Sequence, residues 1–185
     1  MARVVPKPTI EKLRRVRAEQ VSDHGVFTVS RLSYEEIEPP IFVFGCPDWC
    51  NVVAVTEAGE VVMVWQYRFG TDAMSLEVPG GVIDAGEAPE EAARRELREE
   101  TGYEAASFEL LSVVEPNPAL QGNRCFTYLA RGAHKVAETD WDEEEELETV
   151  LVGTDDLATI LDDGTVTHAL VAVALEAYLR KHARK

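Results

Sequence analysis

The stretch from Pro79 to Gly102 limits what this chain can become more than any other part of it. Pro79-Gly80-Gly81 is a turn almost bare of side chains. The loop Val82–Glu87 follows, and from Ala88 to Thr101 the residues favour helix, with Pro89 near the first turn and Gly102 just past the end. Within that helix Glu96, Glu99 and Glu100 lie three and four residues apart, so the three carboxylates project from one face. Two unit charges about 4 Å apart cost ~4 kcal/mol at an effective dielectric near 20, so the cluster must draw in protons or cations. Ala93 and Leu97 occupy the adjacent face and are expected to bury against a sheet, which keeps the carboxylates near the protein body. Few hard oxygen ligands, supplemented by waters and phosphate oxygens, are what Mg²⁺ prefers. The Gly80 carbonyl would complete such a set.

The rest of the chain surrounds this segment with strands. Asn51–Val55 and Glu60–Tyr67 are β-branched runs flanking Thr56-Glu57-Ala58-Gly59, the pattern of a hairpin. Further strands are expected at about Ser107–Val114, Cys125–Ala130 and Leu147–Val152, then helices at about Thr154–Leu161 and Thr167–His182. Near the start, Thr9–Gln20 has a helix-compatible composition with a narrow apolar stripe of Ile10, Leu13 and Val16. Val26–Ser30 and Ile41–Phe44 read as strands separated by Pro39-Pro40. The order of strands, helix, strands and helices, with no repeat and no linker, argues for an α+β layered sandwich. Residues 1–45 read as an N-terminal strand layer of the same domain, and 46–185 as the part that carries the site.

Composition narrows the partners. Lys and Arg number 18 against 34 Asp and Glu, a formal charge of −16. A surface so negative repels a polyphosphate chain, which disfavours nucleic acid as a partner. Cys46, Cys50 and Cys125 form no CxxC pair and are expected to be free thiols. The opening residues lack a signal segment and no later run approaches a membrane span, so the expected location is the cytoplasm with no membrane partner. His24, His134, His168 and His182 show no zinc spacing and are given no chemistry. Of the tryptophans, Trp49 and Trp141 are candidates to stack on a base.

Gly81, Glu87, Arg95, Glu96, Leu97, Glu99, Glu100, Gly102 and Tyr103 fill every position of the signature G-x5-E-x7-R-E-U-x-E-E-x-G-U, where U is bulky and apolar or aromatic. The chain therefore resembles the Nudix hydrolases. The resemblance implies an α/β/α sandwich with a mixed sheet and an additional N-terminal antiparallel strand layer. It implies that Glu96, Glu99, Glu100 and the Gly80 carbonyl hold Mg²⁺, with Mn²⁺ as an alternative. It also implies that Glu87 pairs with Arg95 to brace the loop against the helix, with Gly81 and Gly102 supporting the loop's shape. Catalysis would then be displacement at phosphorus by a water, with no covalent enzyme intermediate.

Outside the signature, Gln66-Tyr67-Arg68, Leu76-Glu77-Val78-Pro79-Gly80-Gly81 and the prolines Pro116 and Pro118 are similar to the ADP-ribose pyrophosphatase and nucleotide-sugar branch of that family. On this resemblance Arg68 would meet phosphate oxygens and Glu77 would contact substrate. The acidic run Asp142–Glu146 lies where the branch keeps a loop with a catalytic glutamate, and counting back from Leu147 selects Glu145 as general base or extra metal ligand. The loop Pro116–Arg124 departs from the Ser-Pro-Gly pattern common among ADP-ribose hydrolases; it offers Arg124, with Asn117, Gln121 and Asn123, for sugar hydroxyls or a phosphate. The N-terminal layer resembles the part that the branch uses to build a homodimer.

The expected activity is Mg²⁺-dependent cleavage of the pyrophosphate bond of a nucleoside diphosphate sugar or ADP-ribose. The products would be a nucleoside monophosphate and a sugar phosphate. Two other readings stand beside it. A nucleoside triphosphate pyrophosphohydrolase would release inorganic pyrophosphate, and a non-catalytic nucleotide sensor would bind without cleaving.

Overall fold

The computed structural model of the protein describes Val5, residues 8–139 and residues 147–182. The chain divides into two compact units, the first formed by residues up to Cys46 with Asn117–Gly122, the second by Pro47–Pro116 and the residues from Asn123 onward.

The first unit is a three-stranded antiparallel sheet of β1 (Arg15–Asp23), β2 (Thr28–Tyr34) and β3 (Ile41–Gly45) in that order. The helix-compatible segment Thr9–Gln20 is therefore corrected: its second half is strand, with Ala18 opposite Leu32 and Gln20 opposite Ser30. A helix there would have buried too little. Ile10 and Val16 are exposed, so the narrow stripe has no partner surface, whereas the ladder satisfies the backbone directly. Cross-strand pairing adds Arg31 on Glu19 at 2.7 Å. The loop Asn117–Gly122 joins this unit through the Phe44 N–H, which donates to the Leu120 carbonyl at 2.7 Å.

The second unit is built on a seven-stranded sheet in the order β10-β5-β4-β9-β7, with β6 paired to β5 and β8 to β9. Its strands are β4 (Trp49–Thr56), β5 (Glu60–Arg68), β6 (Ala73–Glu77), β7 (Tyr103–Glu104), β8 (Ser107–Val114), β9 (Cys125–Lys135) and β10 (Leu147–Gly153). β4 and β9 run parallel, while the other pairs are antiparallel, so the sheet is mixed. The central strands are apolar on both sides because both faces are covered. Cys50, Val52, Ala54 and Val62 bury against Ala93 and Leu97 of α1 (Pro89–Thr101). Val53, Val61 and Met63 bury with Leu157 of α2 (Leu157–Asp162) and with Val171, Ala174 and Leu175 of α3 (Ala169–His182). Alternate residues of one strand thus face different helices. The result is the helix–sheet–helix sandwich that the signature implied.

Helix α1 starts at Pro89, whose missing N–H costs nothing at that position, and stops at Gly102. Gly102 sits at φ 71°, and its N–H donates to the Arg98 carbonyl at 2.8 Å. A Cβ there would run into the Ala137 carbonyl, so both conformation and space require glycine. The tail after β9 then hydrogen-bonds back, with Val136 N–H donating to the Gly102 carbonyl at 2.8 Å. Helix α1 is held to the sheet through Leu97, which is fully buried. Leu97→Ala is expected to cost about 2–5 kcal/mol of unfolding free energy, read by urea denaturation, because it leaves a cavity between helix and sheet.

Candidate active site

A cleft of about 1010 Å³ opens in the second unit between α1, the β5–β6 hairpin and the start of α3. Glu96, Glu99, Glu100, Arg95, Gly80 and Gly81 line one side. Arg68, Glu77, Gln66 and Ser75 line the hairpin side, and Thr167, His168 and Asn51 close the remaining wall. Trp49 also lines the cleft.

The glycines are there for close approach. Gly81 packs on the Glu96 carboxylate so tightly that a Cβ would fall 2.6 Å from its Cδ. A Cβ on Gly80 would strike the Cys50 carbonyl and come within 2.9 Å of Asn51 Cα. The segment is laced to β4 on both sides of Gly80: Val52 N–H donates to the Pro79 carbonyl at 2.8 Å and Cys50 N–H to the Gly81 carbonyl at 2.9 Å. Among the described residues no hydrogen bond ends on the carbonyl of Gly80 itself, while its N–H donates to Glu100 Oε2 at 2.9 Å.

Arg95 organises the carboxylates. Its Nε and Nη2 donate to the two oxygens of Glu87, both at 3.0 Å, and Nη2 also reaches the Val82 carbonyl at 3.1 Å. Nη1 donates to Glu96 Oε1 at 2.7 Å and to Glu99 Oε2 at 3.1 Å. The bond to Glu87, with the nearby Glu96 charge, holds the guanidinium protonated more firmly than usual. In return Arg95 keeps the Glu87 carboxyl below the ordinary carboxylate range.

Carboxylate and carbonyl oxygens are the donor set that suits a hard divalent cation, and the bare Gly80-Gly81 backbone leaves room beside them. Glu96 and Glu99 are nevertheless held by Arg95, and Glu100 by a backbone N–H, rather than by convergence on one point. Accordingly, no group of three His, Cys, Asp or Glu side chains among the described residues is close enough to hold an ion as it stands. The thiols offer no alternative chemistry: burial pushes Cys50 up to about 12 and Cys125 to about 11, so both stay protonated at neutral pH.

Arg68 and Glu77 reach the same side of the cleft from neighbouring strands. Arg68 Nε and Nη2 donate to the two carboxylate oxygens of Glu77 at 2.7 and 2.8 Å. Burial alone would raise the Glu77 pKa, but the Arg68 hydrogen bonds and charge outweigh it and the carboxyl titrates below its ordinary 4.5. Arg124 is placed elsewhere. Its Nη2 and backbone N–H both bond Asp48 at 2.7 Å, and it does not line the cleft. Glu145 and Trp141 lie outside the described residues. Ser75 and Thr167 line the cleft without having been singled out in the sequence, since no local motif marks them, and His168, given no chemistry there, lines it as well.

Because the folded Glu77 pKa is depressed, its contribution to stability is present above about 4.5 and is lost as pH falls through the lower folded value. Urea denaturation from pH 7 downward is expected to show a smaller acid loss in Glu77→Gln than in the unaltered chain.

The NUDIX domain family model matches residues 50–170, most of the chain and all of the signature. An ADP-ribose pyrophosphatase of Bacillus subtilis is 32% identical over 138 residues, covering 74% of this chain and 75% of its own length. A CMP-5'-(N-acetyl-N-hydroxy-3-aminopropyl)phosphonate hydrolase of Streptomyces rubellomurinus is also 32% identical, over 72% of this chain and 64% of its own. Among solved structures, an ADP compounds hydrolase superposes with a TM-score of 0.83, covering 97% of this chain and 100% of that one, at 23% identity, a likeness of fold. Nudix hydrolases generally use divalent metal ions. With the signature complete and its carboxylates gathered beside a bare glycine turn, the chain belongs to the Nudix family and is a hydrolase.

Proposed function

We propose that this hydrolase cleaves the pyrophosphate bond of ADP-ribose or a related nucleoside diphosphate sugar, with Mg²⁺ as cofactor. The observation that carries the reading is the cleft itself. It sets three glutamates and the Gly80 backbone on one side against an Arg68–Glu77 pair on the other, a span suited to a diphosphate with a group at each end. Two relatives of equal identity act on different nucleotide derivatives by name, so the base and the sugar rest on the cleft and on assay.

Glu96, Glu99, Glu100 and the Gly80 carbonyl would hold the cations. When bound, divalent ions supply neutralising charge for the diphosphate and favour ionisation of the attacking water. Arg95 keeps Glu96 and Glu99 at fixed positions through a single Nη1, and Glu87 fixes Arg95 in turn. Arg68 orients phosphate oxygens while Glu77 sets the plane of its guanidinium. Glu145 is proposed as the general base or a further ligand.

We also propose a homodimer formed through the first unit. Among its described residues only Leu32 is buried, while Val16, Val21, Ile41, Phe42 and Phe44 are exposed, and a second copy would cover them. Light scattering on a sizing column is expected to give twice the 20.5 kDa of the chain; a single-chain mass would sink the dimer.

Glu100→Gln is expected to lower turnover of ADP-ribose in Mg²⁺ at least about a hundredfold with an unchanged circular dichroism spectrum. Products identified by mass should be AMP and ribose 5-phosphate. Release of inorganic pyrophosphate from nucleoside triphosphates in preference would favour the triphosphate reading instead. Unchanged turnover in Glu100→Gln would remove the glutamate from the machinery.

A further inference from the structure

His168 closes the cleft wall across from the acidic helix. It directly precedes α3, its carbonyl accepts the Ala172 N–H at 2.9 Å, and it lines the cleft beside Thr167. Its two ring nitrogens stand in different surroundings. Nδ1 is sealed from water and has no hydrogen-bond partner among the described residues. Nε2 is not among the buried atoms that lack a partner, and the ring lines the cleft. A buried N–H without an acceptor is rarer than a buried lone pair without a donor. A neutral ring with its lone pair on Nδ1 would carry its proton on Nε2 and present a donor.

Glu77 is near enough to His168 to interact with it electrostatically, and Ser75 lines the cleft beside them. Arg68 already neutralises Glu77, so this part of the wall carries a hydrogen-bond donor and an acceptor side by side with little net charge. That pattern matches a hydroxyl, which both donates and accepts, better than a phosphate oxygen, which only accepts.

We propose that His168 is a specificity-determining residue whose Nε2–H donates to a hydroxyl of the sugar beyond the second phosphate, with Glu77 accepting from the same sugar. The inference rests on the reading of the substrate as a nucleoside diphosphate sugar. It separates such substrates from triphosphates by the end of the molecule that takes no part in bond cleavage. Leaving Nδ1 unpaired costs the free protein stability, and a hydrogen-bonded sugar recovers nothing there, so selectivity comes from Nε2 alone.

The test is calorimetric titration of the Glu100→Gln protein in Mg²⁺ with ADP-ribose and with the β-methyl ester of ADP, which keeps the diphosphate and lacks the sugar. The parent is expected to prefer ADP-ribose by about tenfold. Adding His168→Ala should abolish that preference while leaving methyl-ester affinity within about twofold. His168→Gln, whose amide N–H lies near the place of Nε2, should restore part of it, and His168→Asn, which imitates Nδ1, should not. Retained preference in His168→Ala, an equal loss for both ligands, or failure of the parent to bind either ligand overturns the proposal. Failure of the unaltered enzyme to cleave ADP-ribose would instead sink the reading of function, and the binding preference would still be measured.

Discussion

The arrangement around α1 depends on one guanidinium. Glu87, Glu96 and Glu99 would repel one another if brought together alone, and Arg95 binds all three while also taking the Val82 carbonyl. The geometry is a fork: one edge of the planar group matches Glu87 bidentately, and the remaining nitrogen is shared between two carboxylates on the helix. A lysine could supply the charge but not both edges. Loop and helix are thus tied by an interaction that also fixes which way the acidic face is turned.

The glycine turn complements that fork from the other direction. Gly81 admits the Glu96 carboxylate against its backbone, and Gly80 lies against β4 where any side chain would meet the Cys50 carbonyl. Backbone bonds from Val52 and Cys50 then hold the turn to the central strand. The site is rigid because its bare segment is part of the sheet's own hydrogen-bond pattern rather than a free loop.

Much of this was legible in residue order because it is local. The helix from Pro89 to Thr101, the Glu87–Arg95 spacing and the Gly80-Gly81 turn all fall within 25 consecutive residues, where period and cap chemistry speak directly. What stayed hidden was tertiary. Arg15–Asp23 formed a strand because pairing with β2 outweighed a weak helical stripe, and composition alone contains no information about that partner. Arg124 has the chemistry of a phosphate ligand but finds Asp48, a residue 76 positions away. His168 has no motif around it and gains meaning only from the strands it stands beside.

The side chain of Asn51 on β4 donates to the Leu170 carbonyl at the start of α3 across 119 positions of sequence. Closing so long a loop costs more chain entropy than the local contacts of α1 do. The carboxylate side of the cleft is drawn from neighbours in the chain, whereas the facing wall brings distant segments together. Loosening the contact between β4 and α3 would therefore disturb the facing wall while leaving the carboxylates of α1 tied to their own loop through Arg95.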